Sequence, residues 1–168
     1  AEIYSPPRVT QCAKMLPGYQ LAPGFALDLT EKNQRGEAWD FDDDEKQDEA
    51  LALIDEVKPL FLVGSPMCTA FSTWQRLCAH RRDPQAVQEQ LDRAIKHMRF
   101  VCKVYKRQID EGRYFLHEHP AAASSWKLPC IQQVVNEEGV DTIVMDQCQL
   151  GQKAEDGSPI RKPTKWMS

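Results

Sequence analysis

Two short stretches of this 168-residue chain carry residue types that do covalent chemistry. The first is Gly64-Ser65-Pro66-Met67-Cys68-Thr69-Ala70-Phe71-Ser72, a cysteine on a loop shaped by glycine and proline after the apolar run Leu60–Gly64. Such a loop holds a thiol rigidly and partly exposed, where a nearby cation or helix start favours the nucleophilic thiolate. The plainer alternative is a small buried cysteine in a turn. The second stretch is Glu118, set between His117 and His119 at the end of the apolar run Tyr114–His117 and followed by Pro120. A carboxylate at the end of a buried strand is costly without partners. It marks either a functional group or a charge satisfied by neighbouring backbone or imidazole.

The histidines and the six cysteines also raise a metal site. Neighbouring strand positions point to opposite faces, however, and no C-x-x-C with H-x-x-x-H spacing is present, so no metal is expected. A zinc deaminase needs H-x-E with P-C-x-x-C. Here the order is His-Glu-His, and Pro129-Cys130 lacks the second cysteine.

The elements that must position these residues follow from apolar patterning. Strands are expected at Glu2–Tyr4, Gly24–Leu29, Leu60–Gly64, Tyr114–His117 and Thr142–Asp146, each short, mostly apolar and closed by Pro, Gly or polar residues. Helices are expected at Arg8–Leu16, stopped by Pro17-Gly18, at Asp44–Val57, stopped before Pro59, at Asp83–Glu111, with Pro84 in the first turn, and at Ser125–Glu138, ended by Gly139. Along the longest, Val87, Leu91, Ile95, Met98, Cys102 and Tyr105 recur every three or four residues, a stripe that reads as core. Strand alternating with helix predicts an α/β domain with a mostly parallel sheet between helices on both faces. Ligands in such sheets bind beyond the carboxyl ends of the strands, where Cys68 and Glu118 fall.

Length and composition fit one domain with a single core. At 42% hydrophobic and 27% charged, the chain is neither disordered nor collagen-like. No apolar run approaches the roughly 20 residues that span a bilayer. Twenty-one Lys and Arg against 25 Asp and Glu give a net charge of −4, unlike a general nucleic-acid coat. Local basic clusters remain at Arg76, Arg81 and Arg82 and at Arg161, Lys162 and Lys165; the acidic run from Asp40 to Glu49 reads as a solvated helix start. Unpatterned cysteines point to reduced thiols in an intracellular compartment.

Taken together, these motifs resemble the cytosine-5 DNA methyltransferases, in particular short phage and mobile-element members. The Cys68 loop resembles their G-x-P-P-C-x-x-F-S segment, and Phe115-Leu116-His117-Glu118-His119-Pro120 resembles their E-N-V or E-N-P motif. Glu2-Ile3-Tyr4-Ser5-Pro6-Pro7 stands where the family has a D-L-F-S-G-x-G cofactor loop. Phe25-Ala26-Leu27-Asp28-Leu29 and Gly36-Glu37-Ala38-Trp39-Asp40-Phe41 stand at the next strand and acidic turn, and Gly157 to Trp166 at a late basic motif. The resemblance covers nearly the whole chain in order. The sequence departs from it at Pro6-Pro7, where glycines are usual, at Met67 for a proline and at His119 for an asparagine.

The resemblance implies a Rossmann-like, S-adenosylmethionine-dependent domain spanning residues 1–168, without a target-recognition domain. Its substrate would be cytosine in DNA, with RNA the alternative. It implies Cys68 as the nucleophile that adds to C6 and Glu118 as the group that meets N3. Tyr4, Ser5, Asp28, Asp40 and Pro66 would hold S-adenosylmethionine, and Ser72, Arg161 and Lys165 would meet the nucleic acid. The second expectation, from the glycine-free cofactor loop, is a degenerate relative that binds nucleic acid or a protein without catalysis.

Overall fold

The computed structural model describes residues 1–16, 18, 21–78 and 81–168, with backbone alone at Arg76 and Cys78. The expected stop at Pro17 lies outside the described residues. Six strands form one sheet: β1 (Glu2–Ile3), β2 (Ala26–Leu27), β3 (Phe61–Gly64), β4 (Tyr114–Pro120), β5 (Thr142–Asp146) and β6 (Pro163–Met167), in the order β2-β1-β3-β4-β6-β5. The helices are α1 (Val9–Lys14), α2 (Asp44–Val57), α3 (Thr73–Cys78), α4 (Pro84–Asp110) and α5 (Pro129–Val135).

The expected α/β class holds, but the sheet is mixed rather than mostly parallel. β2, β1, β3 and β4 pair in parallel, whereas β6 runs antiparallel to both β4 and β5. The connection from β5 to β6 contains a short 3₁₀ turn, Gln147–Leu150, and an isolated bridge between Lys153 and Pro159, with no α-helix to carry a parallel crossover. The chain therefore returns beside β5 in reverse. Pairing with β6 also extends β4 three residues past its expected end, through Glu118, His119 and Pro120.

Local chemistry sets the helix ends. Asp43 caps α2 by accepting from the Glu45 N–H at 2.9 Å, and Lys58 closes it in the left-handed conformation before Pro59. Asp83 caps α4 in the same way through the Gln85 N–H, with Pro84 in its first turn. The helix expected over Ser125–Glu138 is instead a 3₁₀ turn, Ser124–Lys127, followed by α5. Leu128 before Pro129 is extended, with φ −66° and ψ 138°, because the proline ring disfavours helical backbone at the preceding residue.

Register assigns the faces. Ile3, Leu62, Gly64, Phe115 and His117 point to one side. There α4 packs, with Tyr105 stacked on Phe115 at 4.5 Å and hydrogen-bonded to His117 at 2.9 Å. α2 lies beside α4, tied by Arg107–Asp55 and Lys96–Asp44 ion pairs. On the opposite side the fully buried Glu2 carboxylate accepts from the backbone N–H groups of Val9 and Thr10 and the Thr10 hydroxyl, seating the start of α1. Burial pushes that carboxyl up, but these donors outweigh it and hold it below its ordinary range. Among the described residues no helix is long and apolar enough to cross a membrane.

Candidate functional site

The strand order reverses between β1 and β3: the chain leaves β1 for β2 on one side and later adds β3 on the other. Beyond the carboxyl ends of strands at such a reversal, open α/β sheets form a crevice. Here it is a cavity of about 140 Å³ whose lining includes Tyr4, Asp28, Trp39, Asp40, Ser65, Met67 and His97. Three of the five residues expected to hold a cofactor, Tyr4, Asp28 and Asp40, thus meet in one place, and Pro66 sits between two lining residues. Ser5 does not line the cavity; its hydroxyl donates to the Pro6 carbonyl at 2.9 Å.

Tyr4 leaves β1 with φ 61°, a left-handed conformation at a residue with a Cβ. Its ring packs 5.0 Å from that of Phe41, and its hydroxyl shares a hydrogen bond with His97 Nδ1 at 2.9 Å. His97 Nε2 meets Asp42 at 3.0 Å, and Asp42 is also paired with Arg93. Burial lowers the His97 pKa despite the pull of Asp42. Burial opposes ionisation of Asp42, yet Arg93 and His97 keep its carboxyl below the usual range. Sequence reasoning missed His97 and Arg93. Both lie beside the apolar stripe of α4, among many other polar residues, and carry no sequence signal of their own.

Carboxylate acceptors beside aromatic rings are the residue types that could hold the ribose and base of a nucleoside such as that of S-adenosylmethionine. Asp28 Oδ1 is held by the Thr30 backbone N–H and hydroxyl, at 3.0 and 2.8 Å, while Oδ2 takes no hydrogen bond among the described residues. Trp39 and Phe41 add aromatic surface. The volume does not enclose the whole molecule, since sites that bury a ligand of that size run to roughly 300–1,000 Å³.

From the same loop as Ser65 and Met67 comes Cys68, half-buried, with its carbonyl accepting from the Phe71 N–H at 3.0 Å. Phe71, 1% exposed, anchors the loop, and its carbonyl accepts from the Ser124 hydroxyl. His119, at the end of β4, lies against the backbone of Pro66 and Met67 and hydrogen-bonds Ser125 at 2.7 Å. Burial lowers His119 to about 4, only partly offset by that backbone. Burial, with His119 beside it, lowers His117 to about 3. Both rings are therefore neutral near pH 7, and Nε2 of each has no hydrogen-bond partner among the described residues.

Glu118 points to the face opposite His117 and His119. Its Oε1 accepts from Gln147 Nε2 at 3.3 Å and faces Lys162 Nζ at 3.6 Å. These residues flank the β5–β6 excursion, and the Gln147 N–H donates to the Lys162 carbonyl. The basic motif therefore reaches Glu118 through Lys162. Lys165 lies on the other face, with Nζ 4.7 Å from the Trp126 ring centroid. Arg161 is exposed and pairs with Asp146 at 3.3 Å. Ser72 accepts from the Gln75 N–H and caps α3. Among the described residues no three His, Cys, Asp or Glu side chains converge on a metal-sized site. Compared with known proteins, the chain matches no family model, no curated protein and no solved structure.

Proposed function

We propose that this is a Rossmann-like, S-adenosylmethionine-dependent methyltransferase domain acting on C5 of cytosine in DNA. One observation carries the reading: a single connection from β3 lends Ser65 and Met67 to the acid-lined cavity and ends in Cys68, while Glu118 stands on the neighbouring strand. The acid-lined cavity, the cysteine loop and Glu118 thus all lie toward the carboxyl ends of adjacent parallel strands.

Cytosine C5 is a weak nucleophile. The Cys68 thiolate adds to C6, forming an S–C bond and pushing electron density toward N3. Glu118, acting as the carboxylic acid, donates its proton from Oε2 to N3, while Gln147 and Lys162 stand at Oε1. C5 then has enamine character. Bound S-adenosylmethionine supplies an electrophilic methyl group, and Asp28 and Asp40 would hold its ribose and adenine. Solvent water, acting as the base, takes the C5 proton as Cys68 leaves as thiolate, and N3 returns its proton to Glu118, which restores the ring. The base must leave its stack to reach Cys68, at a cost of roughly a few kcal/mol. A reducing intracellular compartment keeps Cys68 a thiol.

A second reading, a non-catalytic binding module of the same ancestry, is favoured by one observation. The cavity is about 140 Å³, and Pro6-Pro7 stand where glycines would let the backbone approach a cofactor.

Incubation with an oligonucleotide containing 5-fluorocytosine and S-adenosylmethionine tests the first reading. Fluorine at C5 cannot leave as a proton, so a denaturant-stable adduct at Cys68 is expected by mass spectrometry. Calorimetry with S-adenosylmethionine runs beside it. Cofactor binding without an adduct overturns the cytosine assignment, and no binding at millimolar cofactor overturns the methyltransferase reading in favour of the second.

A further inference from the structure

Away from the Cys68 loop, α4 and α5 pack against each other, and their seam opens as a groove of about 460 Å³ lined by two cysteines. Cys102, from the middle of α4, is 6% exposed. Cys130, at the start of α5, is half-buried and reachable from the groove. Arg99 and Lys103 flank Cys102 on α4 and line the same groove. Neither pairs with a carboxylate among the described residues, whereas Lys106 is tied to Asp110 and Glu137. Both thiols line this one groove. The neighbouring Cys102 thiol, the Ile131 N–H and Arg99 lower Cys130 to about 7 against the effect of burial, whereas the neighbouring Cys130 and burial push Cys102 up.

We propose that Cys130 and Cys102 form a thiol pair that takes a small acidic disulfide of the glutathione class and closes into a bridge between α4 and α5. The Cys130 thiolate attacks one sulfur of glutathione disulfide, forming a mixed disulfide and releasing one glutathione thiolate. Cys102 loses its proton and attacks the Cys130 sulfur, forming the Cys102–Cys130 bond and releasing the second glutathione. Two electrons leave the protein thiols, and one disulfide becomes two thiols. Arg99 and Lys103 give the carboxylates of the incoming disulfide a cationic wall. Cys130 supplies access and thiolate, and Cys102 resolves from below.

The test uses the full reduced chain under native conditions with glutathione disulfide, followed by acid quench and peptide mapping. A linked Cys102–Cys130 peptide is expected, forming several-fold faster than thiolation of the exposed Cys12, with Cys102→Ser stopping at a mixed disulfide on Cys130. Arg99→Gln combined with Lys103→Gln leaves both thiols in place. It should slow glutathione disulfide several-fold more than the neutral hydroxyethyl disulfide, which loses only the share of thiolate that Arg99 supports. A mixed disulfide on Cys130 that never closes in the unsubstituted chain, or a rate no greater than at Cys12, overturns the proposal. Equal slowing of both disulfides overturns the role of the cationic wall.

Discussion

Gly64 and Tyr105 touch so closely that no other residue fits at position 64: a Cβ there would fall inside the Tyr105 hydroxyl and 2.9 Å from Cζ. The ring cannot retreat, because it is fully buried, stacked on Phe115 and hydrogen-bonded to His117. Gly64 closes the strand that leads into the Cys68 loop, so this contact sets where that loop departs.

Gly64→Ala is expected to cost about 1–3 kcal/mol or more through overpacking. Tyr105→Phe should cost about 1–3 kcal/mol by leaving His117 Nδ1 buried without its partner. Urea unfolding measures both. A Gly64→Ala midpoint equal to that of the unsubstituted protein would contradict the geometry.

The buried histidines make stability depend on pH. Both folded pKa values lie below the unfolded value of about 6.5. Between about pH 4 and 6.5 the unfolded chain therefore binds more protons than the folded one. Stability is fully present above pH 6.5 and falls as pH drops, by up to about 1.4 kcal/mol per pH unit per histidine. Substituting His117 and His119 by glutamine should flatten a plot of unfolding free energy against pH in that window. An unchanged slope would mean that the rings are protonated in the folded state.

Cys68→Ala and Cys68→Ser should abolish methyl transfer while leaving unfolding free energy within about 1 kcal/mol, since the side chain is only half-buried. Full activity in either variant would rule out a covalent path. Glu118→Gln should lower the rate by about 10²–10⁴-fold with cofactor affinity retained. Parallel loss of both would assign Glu118 a structural role.

Asp28→Ala should weaken S-adenosylmethionine binding by about tenfold or more, the worth of a hydrogen bond to a charged acceptor. The comparison is Thr30→Val, which removes one hydroxyl donor from Oδ1 and leaves the carboxylate. Calorimetry distinguishes them: equal affinity in the Asp28→Ala and unsubstituted proteins would remove Asp28 from the site.

Much of the frame is legible where a local chemical stop coincides with a structural one. The bounds expected for α2, Asp44–Val57 before Pro59, are those observed, and Tyr4, Asp28 and Asp40 meet because each follows a strand or acidic turn at the same end of the sheet. β6 is not legible: Pro163-Thr164-Lys165-Trp166-Met167 mixes a proline, a lysine and a tryptophan, and only pairing on both sides makes it a strand. The strand period of two then decides which basic residue serves Glu118. Lys165 lies one register step from Trp166, the partner of Glu118, and so faces Trp126, while Lys162, outside the strand, reaches the carboxylate. His97 is hidden for a different reason, because α4 carries charged and polar residues throughout and nothing local marks the one that turns inward.

The reversed strand also fixes an order of events during synthesis. Glu118 is paired with Trp166, and β6 is the sheet neighbour of both β4 and β5. On the ribosome, β4 and β5 emerge first and must wait as open edges, each a template for pairing with another chain. Cys68 is then already in its loop beside Glu118's strand, yet Lys162 has not arrived to meet the carboxylate. β6, made after both, is the strand that joins β5 to the rest of the sheet, so Glu118 gains its neighbour Lys162 only once that return has been made.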